Sequence, residues 1–270
     1  MMTLNTSAER VDRLIQISDN IYDTIDPKFE VEARHRRMLR VGVNTLAISL
    51  RNGESLNQAG SRLVQLPSIL DNKTQPLDIL ANTYADIERA TVDRSGAPET
   101  DSRHAIHLMK IALPYAQEFY PSLGRGKVAA YALLHDIIEA YAGDVPSLGM
   151  SKDQENQKHH DEARALITLR QEYGDTWPEL ISVIEDYEAL KDIEARYTKT
   201  IDKIDPSFGH FENQGLALKN NLGLTKQTFL TAINETTQRI AVYSGEFPQL
   251  MHDREELIRR VAAVSFQKAA

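Results

Sequence analysis

The sequence of 270 residues contains no cysteine. Disulfide bonds and thiolate metal ligands are therefore excluded, and any metal site has to use His, Asp and Glu side chains. A chain without cysteine also suits the reducing cytosol, so we predict a cytoplasmic protein. Nothing approaches the roughly 20 apolar residues of a membrane span, and the N-terminus lacks the apolar core of a signal peptide. These absences predict a protein without a membrane partner.

Positive charge is also in deficit, because 31 Lys and Arg face 39 Asp and Glu, for a net charge of −8 at pH 7. This argues against a general nucleic-acid binder, since basic surfaces bind phosphate backbones. It does not exclude a nucleotide substrate, because a bound metal can supply local positive charge. The chain also lacks a glycine-rich phosphate loop, since NNLGLTKQT at 220–228 does not match that pattern.

Convincing strand alternation is absent, and apolar residues recur at helical spacing nearly throughout, which predicts an all-α fold. The linker-like segment 67–76 has a proline at each end. It separates an N-terminal helical extension of open role, residues 1–75, from a main domain with C-terminal helices, residues 76–270. The predicted helices span 8–25, 27–51, 77–92, 101–119, 125–142, 154–173, 178–205, 225–243 and 250–264.

The stretch LLHDIIEAYAGD, residues 133–144, places several ionisable groups inside an apolar run. Burying them costs several kcal/mol unless they are paired. On a helix, His135 and Glu139 are four residues apart and Asp136 and Glu139 are three apart, so all three face one cavity. Imidazole and carboxylate together suit Mn, Fe, Co, Ni, Zn or Mg. An isolated His-Asp pair is more often a simple pair or cap, so its context matters.

Two further polar residues lie in amphipathic helical segments on either side of this stretch. His104 begins one predicted helix, and Asp202 lies in the apolar run that ends another. Two imidazoles and two carboxylates from three helices would leave an octahedral ion with two open positions for water and substrate. The pattern predicts a site for one divalent metal ion.

Three motifs in this order resemble the HD-domain metal-dependent phosphohydrolases, and most closely their bacterial 5′-deoxynucleotidase branch. They are RSGAPETDSRHA at 94–105, HDIIEAYAGD at 135–144 and the pair Asp202-Lys203. The resemblance covers about residues 77–250 and implies an HD-domain helical bundle. It also implies hydrolysis of a nucleotide phosphate, with a deoxyribonucleoside 5′-monophosphate as the expected substrate. Relatives are often dimers, so a homodimer is implied as well.

Carried over residue by residue, the resemblance implies three groups of functional side chains. The metal ligands are His104, His135, Asp136 and Asp202. Glu139 would orient or deprotonate the attacking water, and Asp144 would lie near the sugar or leaving oxygen. The substrate-binding residues are Arg94, Glu99 and Lys203. The chain departs from the family at Arg103 and Ala105, where Glu and Ser are usual, but neither position is a ligand.

Several residues compete for these roles. His107 lies three residues after His104, but we expect it to support the site rather than bind metal. Asp205 is an alternative to Asp202, although the following proline suggests that it lies at a helix end. His159 and His160 offer a second metal site, but their polar surroundings favour a solvated helix start. The neighbouring lysines Lys158 and Lys199 are further candidates for phosphate contacts.

Other functions also remain open. A dNTP triphosphohydrolase would use the same metal ligands, whereas a (p)ppGpp hydrolase is disfavoured because Ala140 follows Glu139. A non-catalytic HD module would bind a nucleotide without cleaving it. A nucleic-acid-binding regulator would act through residues 33–62, which include the basic run ARHRRMLR at 33–40. We expect that run to form a solvated helix face or an oligomer contact.

Overall fold

The computed structural model of the protein describes residues 6–23, 28–64, 77–92 and 96–267. Within these ranges the chain forms fourteen helices and a single two-stranded hairpin, which confirms the all-α fold class. The elements are α1 (Ser7–Asp23), α2 (Lys28–Arg51), α3 (Leu56–Ser61), α4 (Asp78–Ala85), β1 (Glu88–Val92), β2 (Pro98–Thr100), α5 (Asp101–Phe119), α6 (Arg125–Leu134), α7 (Glu139–Ala142), α8 (Lys152–Tyr173), α9 (Pro178–Glu188), α10 (Ile193–Asp202), α11 (Pro206–Glu212), α12 (Leu216–Asn220), α13 (Lys226–Ser244) and α14 (Pro248–Ser265).

The helix α6 lies at the centre of the fold. Its residues from 128 to 134 are all buried, and a helix that is apolar all round belongs in a core. It packs against α3, α5, α9 and α10. The contact with α3 requires glycine, because a Cβ on Gly60 would lie 1.8 Å from the carbonyl oxygen of Gly126. Packing on several sides fixes the C-terminal end of α6, where the pair His135-Asp136 follows.

The N-terminal helices share this core. Helix α1 packs against α5 and α14, and α2 packs against α4 and α5. A buried ion pair joins α1 to α14, because Arg10 Nε donates to both carboxylate oxygens of Asp253 at 2.9 and 2.8 Å. The division of the chain at residue 75 stays a prediction, and the expected linker at 67–76 lies outside the described residues.

The expectation of one helix over 77–92 without strands is wrong. Helix α4 ends at Ala85, and β1 then pairs with β2 in an antiparallel hairpin. Strands of five and three residues are too short to show alternation, and the Glu-Arg-Ala sequence that opens β1 favours a helix by local propensity. Tertiary contacts decide the conformation, since β1 packs against α11 and α12.

Two other predicted helices are interrupted. The segment 178–205 divides into α9 and α10, because Asp192 caps α10 by accepting the N–H of Ala195 at 2.9 Å. The segment 125–142 is broken after Leu134 by a run of turns that carries the His135-Asp136 pair. Elsewhere the expected and observed boundaries agree to within a few residues.

The basic run at 33–40 lies on α2, and two of its arginines face acidic partners. Arg36 pairs with Asp86 at 2.7 Å, and Arg40 pairs with Asp78 at 3.2 Å. Met38 and Leu39 are buried in the core. These ion pairs leave less unpaired positive charge that could bind a nucleic acid. Among the helices that the structure describes, none is both long and apolar enough to cross a membrane.

Candidate metal centre and pocket

The four side chains expected to bind metal converge on one point. They come from α5 (His104), the turn after α6 (His135 and Asp136) and the end of α10 (Asp202). One ligand atom from each lies within 4.8 Å of all the others. His104 Nε2 is 3.1 Å from Asp202 Oδ1, and His135 Nε2 is 2.9 Å from Asp136 Oδ2. The geometry makes this cluster able to hold an ion, and its occupation stays a prediction.

The turn after α6 explains how adjacent residues reach one site. The N–H groups of Ile137 and Glu139 bond to carbonyls three residues earlier, at 3.0 and 2.8 Å. Such tight turns have three residues per turn, so side chains three apart lie above one another. Asp136 and Glu139 therefore face the same side, as the sequence predicted, although the helix itself is not continuous.

The two histidines are held so that Nε2 of each faces the cluster. His135 Nδ1 lies 2.9 Å from the carbonyl oxygen of Ala132, which only accepts, so Nδ1 carries the proton. His104 Nδ1 lies 2.9 Å from Asp205 Oδ2. Partners of this kind fix metal-binding imidazoles in many proteins. His135 Nε2 is buried and makes no hydrogen bond of good geometry with any described residue, while carboxylate oxygens of Asp136 and Asp202 lie 2.9 and 3.6 Å from it, which suits a cation held between them.

Asp205 supports the cluster from behind. Its carboxylate also lies 2.7 Å from Nδ1 of His107, whose Nε2 lies 3.0 Å from the hydroxyl oxygen of Ser18. Burial acts to raise the pKa of Asp205, but His107 and His104 outweigh burial and lower that pKa, so the carboxyl is ionised. This arrangement favours Asp202 as the ligand, with Asp205 and His107 as supports.

Glu139 is buried beside the cluster, at 4% exposure. Burial, together with the negative charges of Asp136 and Asp101, raises the pKa of Glu139 to about 10. A divalent cation next to the carboxyl would oppose that shift. Lys158 Nζ lies 3.5 Å from Glu139 Oε1 and also lines the pocket.

Arg89 is a site residue that the sequence did not single out. Its Nη1 donates to Asp101 at 2.8 Å and to Asp136 at 2.9 Å. Asp101, Asp136 and Glu139 form a second group of carboxylates close enough for a metal. Arg89 already supplies a cation to two of these carboxylates, which favours a single metal ion. No chemical signal marks a lone arginine in ERATV, because only the hairpin brings it to the site.

The remaining predicted residues are placed differently. Asp144 lines the pocket and accepts the N–H of Ala90 at 3.2 Å, and Lys203 Nζ lies 2.7 Å from Asp202 Oδ2. Glu99 accepts a hydrogen bond from Thr91 at 2.7 Å, within the hairpin. Arg94 lies outside the described residues. His159 and His160 are exposed on α8 and do not join the cluster.

A pocket of about 150 Å³ opens onto the cluster. Five acidic and five basic side chains line it, so a bound divalent ion would make the balance of charge positive. Apolar side chains, among them Leu222, Phe229 and Ile233, also line it. The pocket therefore offers both charged groups and apolar surface to a ligand.

Comparison with known proteins agrees with this architecture. The HD domain family matches residues 84–242, more than half of the chain. The relatives include 5′-deoxynucleotidase HDDC2 from Bos taurus, 27% identical over 109 residues, and its Homo sapiens counterpart, 25% identical over 109 residues. Each of these matches covers 40% of this chain and 51% of the relative, so the chain spans about half of their length.

A solved structure shows the same fold. It is the crystal structure of a protein described as a predicted metal-dependent phosphohydrolase from Magnetospirillum magnetotacticum MS-1, with 24% sequence identity and a TM-score of 0.51. The superposition covers 67% of this chain and 91% of that one. The chain therefore belongs to the HD domain family and has the fold of the metal-dependent phosphohydrolases of HD type.

Proposed function

We propose that this protein hydrolyses the phosphate ester of a nucleotide with one divalent metal ion, Mn, Co, Fe, Zn or Mg. The observation that carries the proposal is the convergence of His104, His135, Asp136 and Asp202 in a largely buried cluster, whose two carboxylates line a pocket. His135 Nε2 faces that cluster with Asp136 Oδ2 2.9 Å away, yet it makes no hydrogen bond of good geometry with any described residue. A bound ion would activate water and neutralise charge on the phosphoryl group.

Four charged side chains of the pocket then have roles in this reaction. Glu139, on the same turn as Asp136, positions the water and takes its proton. Lys158 and Lys203 offer ammonium groups to phosphate oxygens. Asp144 faces the sugar or the leaving oxygen, and the N–H of Ala90 holds its carboxylate in place.

A deoxyribonucleoside 5′-monophosphate is the proposed substrate. The apolar lining residues, including Phe229, suit a base or sugar, while the charged lining residues suit a phosphate. The names of the two 5′-deoxynucleotidase relatives support this choice. A dNTP triphosphohydrolase is the second candidate, because cationic Lys199, Lys203 and Arg254 line the pocket beyond the ligands and would suit further phosphates.

The nature of the product tests the proposal. The protein is stripped of metal, resupplied with Mn, Co, Fe, Zn or Mg separately, and offered ribo- and deoxyribonucleoside mono- and triphosphates. Nucleoside plus phosphate from deoxyribonucleoside monophosphates supports the first candidate, and nucleoside plus triphosphate supports the second. We expect Glu139→Gln to lower turnover by about 100-fold or more while leaving metal bound. No turnover with any metal, despite bound metal, would contradict both candidates and favour a nucleotide-binding module.

A further inference from the structure

Arg254 on α14 is a buried arginine, and no acidic side chain among the described residues forms an ion pair with it. Arg254 is only 1% exposed. Its Nη1 donates to the hydroxyl of Thr237 at 2.7 Å, and its Nε is buried without a hydrogen-bond partner. Burial lowers the pKa of Arg254, and Tyr243 and the exposed carboxylate of Glu255 oppose that effect without reversing it. A buried guanidinium without a carboxylate is costly, so its presence calls for a functional reason.

The neighbouring position on the same helix shows the usual solution. Asp253 accepts two hydrogen bonds from Arg10, which is also buried, and a third from the hydroxyl of Tyr115 at 2.6 Å. Helix α14 therefore gives one buried arginine a carboxylate partner, whereas the other has a single hydroxyl partner within the described ranges. The contrast is specific to Arg254 and does not reflect a general lack of acidic groups on this helix.

Arg254 also lines the pocket, together with Asp136 and Asp202 of the cluster. Three of the other basic side chains there have carboxylate partners: Arg89 with Asp136, Lys158 with Glu162, and Lys203 with Asp202. A phosphate oxygen entering the pocket would give the Arg254 guanidinium its missing partner. The planar guanidinium can donate two parallel hydrogen bonds to such a group.

We propose that Arg254 binds a phosphate oxygen of the anionic substrate. Thr237 holds the guanidinium for that contact, because its hydroxyl accepts from Arg254 and donates to the carbonyl of Ile233 at 2.8 Å. Helix α14 lies beyond residues 84–242, so the family match does not include this contact. The inference rests on the proposed function for the chemical class of the ligand.

Inorganic phosphate is the probe that tests this contact. The full chain loaded with Mn²⁺ is titrated with phosphate by calorimetry, and the parent is compared with Arg254→Met and Arg254→Lys. We expect Arg254→Met to raise the Kd for phosphate by about 10- to 100-fold, and Arg254→Lys to raise it less, because one charge-assisted contact survives. Arg260→Met is the matched control, since Arg260 lies on α14 outside the pocket and pairs with Glu256 at 2.8 Å. Its Kd should stay within about twofold of the parent value.

Thermal unfolding separates binding from a structural role. Without phosphate, Arg254→Met should unfold no earlier than the parent, because the substitution removes an uncompensated buried charge. The rise in Tm that phosphate causes in the parent should shrink in Arg254→Met. A lower Tm with an unchanged Kd for phosphate would overturn the inference. If Arg254→Met does not fold, Arg254→Lys decides, and an unchanged Kd in that variant would likewise overturn it.

Turnover of nucleotides, measured in parallel, keeps the two proposals apart. Hydrolysis by the parent together with an unchanged Kd for phosphate in Arg254→Met would overturn the role of Arg254 alone. Phosphate binding that depends on Arg254, without hydrolysis of any nucleotide, would overturn the proposed function and support the inference.

Discussion

Asp136 and Glu139 show how the site treats two neighbouring carboxyl groups differently. Burial acts to raise the pKa of Asp136, but His135 and Arg89 outweigh burial and hold that pKa well below its usual range. Burial and the nearby carboxylates instead raise the pKa of Glu139 to about 10. Environments that push two pKa values apart are typical of acid and base pairs in active sites. The contrast supports Asp136 as a ligand and Glu139 as the proton-handling group.

The burial of His210 predicts that the stability of the protein falls at acidic pH. It is buried in α11 at 6% exposure, and burial lowers its pKa to about 4. Above about pH 6.5, the ordinary pKa of histidine, the His210 side chain is neutral in both the folded and the unfolded chain, so its protonation does not reduce the free energy of unfolding. As the pH falls from about 6.5 to about 4, the unfolded chain binds the proton first, and stability is lost.

Urea unfolding at pH 7.5 and pH 4.5 measures this loss. We expect the free energy of unfolding of the parent, relative to His210→Gln, to fall by roughly 2 to 3 kcal/mol between the two conditions. His160→Gln removes an exposed histidine from α8 and serves as the control. If the free energies of unfolding of the parent and His210→Gln differ by the same amount at both pH values, His210 is not the cause of the loss of stability.

At the scale of elements, the hairpin and α1 complete a site that the central helices begin. Strand β1 supplies Arg89 to Asp136 and the N–H of Ala90 to Asp144. Helix α1 supplies Ser18, whose oxygen contacts His107 at 3.0 Å and Glu212 at 3.1 Å. The N-terminal helix is therefore connected to His104 through His107 and Asp205, although it contributes no ligand.

Ser18→Ala tests that connection. The variant loses one hydrogen bond to His107 and one to Glu212, so we expect the free energy of unfolding to fall by about 1 to 3 kcal/mol. The affinity for Mn²⁺ should fall by up to about tenfold, because the support of His104 is weakened. Metal titration and urea unfolding measure the two effects. Ser49→Ala, at a buried position in α2, is the control. Equal effects of the two substitutions on metal affinity would refute the connection.

Across the whole molecule, the sequence predicts which four side chains converge better than it predicts their surroundings. His104, His135, Asp136 and Asp202 are recognisable because ionisable residues are rare in apolar helical runs and their order matches a family motif. Arg89 and Arg254 are not, because a single arginine in an amphipathic segment has the same pattern whether it is solvated or buried. The sequence does not reveal the hairpin, because its strands are short and its contacts to α11 and α12 join segments that are far apart in the chain. The break after Leu134 depends on turn geometry that spacing does not reveal.

Equilibrium titration with Mn²⁺ gives the number of ions per chain and their affinity, and it tests the proposed metal centre. We expect one ion per chain in the parent and none in Asp202→Asn, which removes a proposed ligand. Asp205→Asn should still bind one ion, about 10- to 100-fold more weakly, because only the support of His104 and His107 is reduced. Absence of binding by the parent, or parental affinity in Asp202→Asn, would contradict the metal centre on which the proposed function rests.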